Sequence, residues 1–416
     1  MIKYLTNLLI IIAFLGMSST ILSSCSQDDN DDSPYVGPDV PQDSDSEFDS
    51  TILIYAVATN SLQGNLVIDK AEMLQAAPNI DLDKNNVIIF QTSYKLNEEN
   101  TAYVNEGEVS LIRLVKEGND YAWETLKQYS QDIASLNPRR MEEVVNYVIE
   151  TYPSKTYGMM FWSHSTGAQP YITTKSSMIE SPMVYSFGQD KTTPETDYQE
   201  MNIDQLANAL PDNKFRFIWF DSCYMSNIES IYQLRNKCEV YVGYATEVCN
   251  EGLPYHKVLP YLTSTDPDIL AAASAFFDFY DTEYRYRIAT IAATDMSKIE
   301  LLAEYCRRVY SHDNLSSLNG LHVYTRLRTT SGPFYDLGDY TKALAALNGM
   351  EVTDEEWNNL LSQCLIYKAA TPYDFNNLAI DPVRYSGIST HVYDFDTDSK
   401  AEEYYKSLDW YQSVFQ

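Results

Sequence analysis

The stretch Phe215-Arg216-Phe217-Ile218-Trp219-Phe220-Asp221-Ser222-Cys223 decides how the chain is read. A mostly apolar run of strand length ends in an acid, a hydroxyl and a thiol. Met225, Ile228, Ile231, Tyr232 and Leu234 follow and give a helix directly after the thiol. Short apolar runs of this kind suit strands buried on both faces, as in a parallel sheet between layers of helices. Working outward, the runs 51–57, 86–91, 109–115, 157–162 and 240–244 have the same character. Helical patterns sit between several of them. After Asn137-Pro138, the residues Met141, Val144, Val145, Val148 and Ile149 recur at three- and four-residue steps. Asn137 is the expected N-cap and Pro138 the first helical residue. Residues 203–210 give a shorter helix. Strand, helix, strand in this order predicts right-handed βαβ units and an α/β fold, with a mostly parallel sheet flanked by helices.

Beyond residue 255 the pattern becomes more helical. Helices are expected over 268–280, 295–309 and 353–370, and strands over 288–293 and 388–393. No internal repeat is visible. This divides the folded part into a core at 50–260 and a mixed α+β C-terminal extension at 261–416 packed on it.

In open parallel sheets, sites form beyond the carboxyl ends of the strands. Two ends carry reactive groups. The run 157–162 continues into Ser163-His164-Ser165-Thr166-Gly167, and the run 215–220 into Asp221-Ser222-Cys223. If these strands are neighbours, His164 and Cys223 lie within side-chain reach. A Cys at a strand-to-helix turn sits near a helix N-terminus, whose partial positive charge favours the thiolate. A neighbouring imidazole can carry a proton to a leaving amine. Position alone leaves a second reading open, with Cys223 a core residue and His164 an ordinary hydrogen-bonded one. His256, His312, His322 and His391 have no comparable partners and read as structural.

The composition is that of a globular protein: 44% hydrophobic and 21% charged over 416 residues. It excludes a wholly disordered chain, a collagen-like repeat and a polytopic membrane protein. The 29 basic and 59 acidic residues leave a net charge of −30, which argues against nucleic acid as a partner and for substrates with basic groups. Lys3 precedes an apolar run at 8–17, too short for a span of about 20 residues but suited to a signal-peptide core. Leu22-Ser23-Ser24-Cys25 resembles a bacterial lipoprotein box. That implies a signal peptide at 1–24, acylation of Cys25 and attachment to the membrane through a lipid anchor. Residues 25–49, rich in Asp, Ser and Pro, read as an acidic flexible tether. Acid directly after the Cys resembles the export signal of surface lipoproteins in Bacteroidota, implying the outer membrane and the cell surface of a Gram-negative bacterium. Cys223, Cys238, Cys249, Cys306 and Cys364 are an odd number for an exported chain, so at least one thiol is free or pairs between chains. No CxxC or CxxH spacing offers a zinc site, and no other metal site is expected.

The segment Phe217 to Glu229, with Asp221-Ser222-Cys223-Tyr224-Met225-Ser226-Asn227 at its centre, resembles the cysteine motif of the clostripain family of cysteine endopeptidases. Phe161-Trp162-Ser163-His164-Ser165-Thr166-Gly167 is similar to the family's histidine motif. Tyr55 to Leu62, Gly252-Leu253-Pro254-Tyr255, Phe334 to Tyr340 and Gly387-Ile388-Ser389 resemble further family segments in order. The resemblance implies a caspase/hemoglobinase-like fold, Cys223 as nucleophile and His164 as general acid and base. It implies an oxyanion hole from the backbone N–H groups of Cys223 and Ser165. The family usually has Gly where Ser165 stands, so a Cβ is added at that turn. A preference for Arg or Lys before the cut bond would place Asp221 in the substrate pocket, with Glu251 a second candidate there and Glu247 a weaker one. Internal cleavage in the polar stretch 168–200 would use Lys175 or Lys191. No cofactor is required by the sequence; the resemblance leaves room for calcium, although no DxDxDG loop exists. The competing class is a non-catalytic binding lipoprotein on the same scaffold, and a weaker third is an amidase using the same two residues.

Overall fold

The alternation of buried runs and helical stretches builds a layered α/β domain in the computed structural model, which describes residues 47–96, 103–169, 186–190, 199–310, 320–324, 334–392 and 399–416. Cys25, Lys175, Lys191 and His312 lie outside the described residues. The sheet strands are β1 (Phe48–Val57), β2 (Asn85–Leu96), β3 (Tyr103–Glu117), β4 (Asp120–Gln128), β5 (Ser154–Trp162), β6 (Phe215–Asp221), β7 (Cys238–Gly243), β8 (Thr290–Asp295) and β9 (Leu365–Ala370). Among the described residues they form one nine-stranded sheet in the order β9-β8-β7-β6-β5-β1-β2-β3-β4. The five central strands, β7 to β2, run parallel. The two strands at each edge are antiparallel. The fold is the expected one, a mostly parallel sheet flanked by helices.

Alternate residues of each central strand enter two separate cores, as a period of two requires. Ile52, Ile54, Ala56, Trp162, Phe217 and Trp219 pack with helices α1 (Gln63–Ala76), α5 (Tyr255–Leu262) and α6 (Ile269–Asp278). Leu53, Tyr55, Phe161, Ile218 and Phe220 face the other way. They pack with α2 (Pro138–Thr151), α3 (Ile203–Asn208), α4 (Ile228–Gln233), α7 (Ile299–Val309), α8 (Leu337–Leu347), α9 (Asp354–Cys364) and the C-terminal α10 (Ser399–Ser407) and α11 (Asp409–Phe415). Phe161 stacks on Phe220 at 4.8 Å and Tyr55 on Phe90 at 4.4 Å, locking neighbouring strands on this face. Asn137 caps α2 by accepting from the Arg139 N–H, with Pro138 as the first residue, as the sequence indicated. No described helix is long and apolar enough to cross a membrane.

Three expectations change. The helix expected over 353–370 ends at Cys364, and 365–370 becomes the edge strand β9, paired antiparallel with β8. The open backbone of β8 offers those residues ladder hydrogen bonds, which outweigh their weak helical pattern. The helix expected from Met225 starts only at Ile228, where Asn227 accepts from the Ser230 N–H. The strand expected over 388–393 is confined to Ser389–His391, paired with Phe334–Asp336. Elements that were unforeseen include β4, α1, α5, α8, α10 and α11. Helix α1 buries Leu66, Asp69, Met73 and Ala76 while Val67 and Ile68 face solvent at 63% and 57% exposure, so no apolar stripe marks it.

Candidate active site

The order of winding reverses at β1. Chain continues from it to β2 on one side, and to β5, β6 and β7 on the other. Ligand sites of open parallel sheets form at such a reversal, beyond the carboxyl ends of the strands. Register brings the right residues there. Ala56 pairs with Trp162 and Trp162 with Asp221, so Ser163-His164 and Ser222-Cys223 leave adjacent strands at the same height.

Short polar contacts fix both loops. The Ser163 hydroxyl donates to the Val57 carbonyl at 2.8 Å, and the Gly188 N–H donates to the His164 carbonyl at 2.8 Å. The Ser165 hydroxyl donates to the Cys223 carbonyl at 2.5 Å, tying the two loops together. The Cβ that Ser165 adds at this turn therefore points its hydroxyl at the neighbouring loop. Tyr224, directly after Cys223, sits in the left-handed region at φ 58°, a conformation costly for a bulky residue. It is held by its N–H to the Thr246 carbonyl (3.1 Å) and by Asn227 Nδ2 on its own carbonyl (2.7 Å). Gly167, at φ 71°, leaves room for that turn: a Cβ there would lie 2.7 Å from Asn227 Nδ2 and 3.0 Å from the Tyr224 carbonyl oxygen.

His164 and Cys223 are both half-buried. His164 Nε2 lies 2.8 Å from the hydroxyl of Ser61, in the loop after β1. Burial holds its imidazole below the usual histidine range. Cys223 Sγ accepts from the Val248 N–H at 3.4 Å. Burial pushes its thiol up to about 12, and the charge of Glu247 adds to the rise. This corrects the expectation of a thiol favoured as thiolate by a helix end. Helix α4 begins five residues later, and a helix dipole acts only within about its first turn. Glu247 accepts from the Tyr224 hydroxyl at 2.9 Å and from Asn376 Nδ2 at 2.6 Å, so the segment 246–248 is fastened over the thiol.

Asp221 points into the face shared by α1 and α5. Its Oδ2 accepts from the Leu253 N–H (3.2 Å) and the Tyr255 hydroxyl (3.1 Å). Its Oδ1, also buried, has no hydrogen-bond partner among the described residues. Burial raises this carboxyl to about 7. Gly252, at φ 55°, passes so close that a Cβ would lie 3.0 Å from Oδ2. Its neighbour Glu251 accepts from the Tyr284 hydroxyl at 2.7 Å, so of the two acids expected in the pocket only Asp221 is buried. Behind it, Trp162 Nε1 donates to Asp69 at 2.8 Å, and burial raises Asp69 to about 9.

Sequence reading did not single out Ser61, Val248 or Asn60 as site residues. The signal available for Ser61 was its place at the end of β1, on the same sheet edge as the other two loops. His256 faces Glu72 at 3.2 Å and His322 faces the Ala379 carbonyl at 3.3 Å. The five cysteines described are all free. Among the described residues, no group of three or more His, Cys, Asp and Glu side chains is gathered as a metal site would need.

A caspase-like α/β sheet with a cysteine and a histidine on adjacent loops at its carboxyl edge defines the class, that of cysteine peptidases. The family model described as the clostripain family of peptidases matches residues 54–414. The chain belongs to the clostripain family, and it is a cysteine-protease hydrolase by that membership. A secreted C11 cysteine protease from Bacteroides thetaiotaomicron, solved with an irreversible peptide inhibitor, is similar at TM-score 0.70 and 24% identity, covering 88% of this chain and 98% of the other. An inactive zymogen C11 protease from Parabacteroides distasonis is similar at TM-score 0.69 and 26% identity, covering 89% and 99%. A search of curated proteins found no match.

Proposed function

We propose that the chain is a surface-anchored endopeptidase that cuts after Arg or Lys with a Cys223–His164 dyad. The observation that carries this reading is Asp221. It is a carboxyl two residues ahead of Cys223, 5% exposed, with one oxygen unpartnered among the described residues. A buried unpaired acid is costly to keep unless a cation comes to it. A guanidinium or ammonium on the substrate supplies that cation.

In the reaction, His164 takes the Cys223 proton and the sulfur attacks the scissile carbonyl carbon. The carbonyl electron pair moves onto oxygen, which the backbone N–H groups of Cys223 and Ser165 receive. Collapse breaks the C–N bond, and His164 gives its proton to the leaving amine. Water, deprotonated by His164, then adds to the thioester. The C–S bond breaks and the thiol is restored. The segment 246–248 must yield before the sulfur can reach a substrate. Cleavage within 168–200 at Lys175 or Lys191, and anchoring through Cys25, complete the reading.

The test is hydrolysis of fluorogenic peptides ending in Arg, Lys, Ala or Asp by residues 47–416, with calcium or a chelator. Each is repeated after limited trypsin nicking. Arg or Lys turnover that disappears in Cys223→Ala and His164→Ala is the expected result. Turnover that survives Cys223→Ala, or none from folded protein before and after nicking, refutes it. Recovery of Cys25→Ala protein in the soluble fraction, with the parent chain in the membrane fraction, tests the anchor.

A further inference from the structure

We infer that Ser61 is the third member of the catalytic arrangement, a positioning residue that holds the His164 imidazole by Nε2 and leaves Nδ1 to move protons. This rests on the dyad reading above.

The contact itself is direct, 2.8 Å from Ser61 Oγ to His164 Nε2. The frame around it is built. Asn60, next in the chain and 6% exposed, reaches three groups with one amide nitrogen: the Val57 carbonyl at 2.9 Å, the Gln189 carbonyl at 2.8 Å and the Ser163 hydroxyl at 3.3 Å. Its Oδ1 accepts from the Leu62 N–H at 2.9 Å. The loop carrying Ser61 is therefore clamped to the residue just before His164. It is also clamped to the strand Phe187–Asp190, whose Gly188 N–H holds the His164 carbonyl. The two loops cannot drift apart without breaking buried hydrogen bonds, although Ser61 itself is exposed and, among the described residues, its hydroxyl is held only by the ring nitrogen.

The chemistry follows from the two ring nitrogens. A neutral imidazole carries one proton, and the hydrogen bond made by one nitrogen selects which. With the serine oxygen accepting from Nε2–H, Nδ1 is bare and can take the Cys223 proton. In the imidazolium that forms, Nε2–H still donates to the same oxygen. Nδ1–H then passes to the leaving nitrogen, and the Ser61 contact persists through every step. A hydroxyl suits this place because it stays neutral throughout.

The experiment compares Ser61→Ala and Ser61→Thr with the parent on an Arg peptide. It includes thermal melts and 15N-histidine spectra in which His164 is assigned by difference from His164→Gln. For Ser61→Ala, kcat should fall about 10- to 100-fold with KM within about twofold. Ser61→Thr should return to within about threefold of the parent. Melting should be unchanged for both. The parent spectrum should show His164 as the Nε2–H tautomer, and Ser61→Ala a mixture. Parent-like or faster turnover by Ser61→Ala, a loss confined to KM, or a parent His164 in the Nδ1–H form would overturn the assignment. These outcomes are separate from failure of the dyad reading, which shows as an active Cys223→Ala or an inactive parent; the tautomer is measured without turnover.

Discussion

Replacing Asp221 with Asn should make the protein more stable and less active, by amounts that depend on pH in opposite senses from an ordinary salt-bridged acid. Both donors to Asp221, the Leu253 N–H and the Tyr255 hydroxyl, reach the same oxygen, Oδ2. An Asn placing its carbonyl oxygen there keeps both bonds, and its NH2 takes the place of the unpartnered Oδ1. What changes is the charge. The carboxyl sits near 7 when folded, raised by burial from an ordinary 3.8. A raised carboxyl supports folding fully below its unfolded value and loses that support as pH climbs through the folded value. At 1.36 kcal/mol per unit, ionisation should cost about 4 kcal/mol at pH 8 and about 1.5 kcal/mol at pH 5. Asp69, raised to about 9, keeps its proton through most of that window. Asp221→Asn should therefore gain about 2–4 kcal/mol at pH 8 and clearly less at pH 5, read by urea unfolding at both. On Arg peptides kcat/KM should drop by about 100-fold or more, as loss of a buried charge pair does. A variant less stable than its parent at pH 8, or a gain equal at the two pH values, would refute the claim that an uncompensated buried charge occupies this site.

Three further outcomes are expected. Gly167→Ala must hold a side chain at φ 71° with its Cβ 2.6 Å from the Phe334 ring, and should lose about 2–4 kcal/mol; an unchanged melting temperature would contradict the placement of that turn. Glu247→Gln removes a charge that raises the Cys223 thiol and weakens the fastening to Asn376, so alkylation by iodoacetamide at pH 7.5 should accelerate about 3- to 10-fold. An equal or slower rate would count against a fastened segment over the sulfur. Arginine amide, bound beside Asp221, should likewise speed alkylation of the parent but not of Asp221→Asn; protection by it in both would argue that no cation reaches that carboxyl.

The layering of the fold was legible because the central strands are uniformly apolar, as strands buried on both faces must be. The two reactive loops were legible for a linked reason: apolar runs that stop at His164 and Cys223 stop where the sheet does. Helix α1 was not legible, because it buries Asp69 and exposes Val67 and Ile68. Nor was the strand 365–370, whose conformation is dictated by the unpaired edge of β8, far away in sequence. At the site, the state of the thiol was misjudged from local order alone. A helix was expected directly after Cys223, but the left-handed turn at Tyr224 delays it to Ile228, and the partners that act on the sulfur, Val248 and Glu247, come from the loop after β7. Sequence spacing places a thiol at the sheet edge but does not reveal what a later loop lays on top of it.

On the proposed reading the site combines a rigid base with a suppressed nucleophile, and the two halves have different physical origins. Asn60, Gly188 and Ser163 fix the histidine side with buried hydrogen bonds that no substrate needs to alter. The sulfur side is held back by terms that a substrate can remove. A thiol raised from an ordinary 9.0 to about 12 is far less often thiolate at neutral pH. After burial, the causes of that rise include the charges of Glu247 and Asp221. A cation drawn to Asp221 cancels one of them, and a peptide backbone competing for the Val248 N–H loosens the segment held by the other. Binding energy gained away from the scissile bond would then be converted into reactivity at the sulfur, which raises kcat rather than merely lowering KM. On this argument the unpartnered oxygen of Asp221 does two things at once. It would select the side chain that enters, and it would keep the thiol quiet until that side chain arrives.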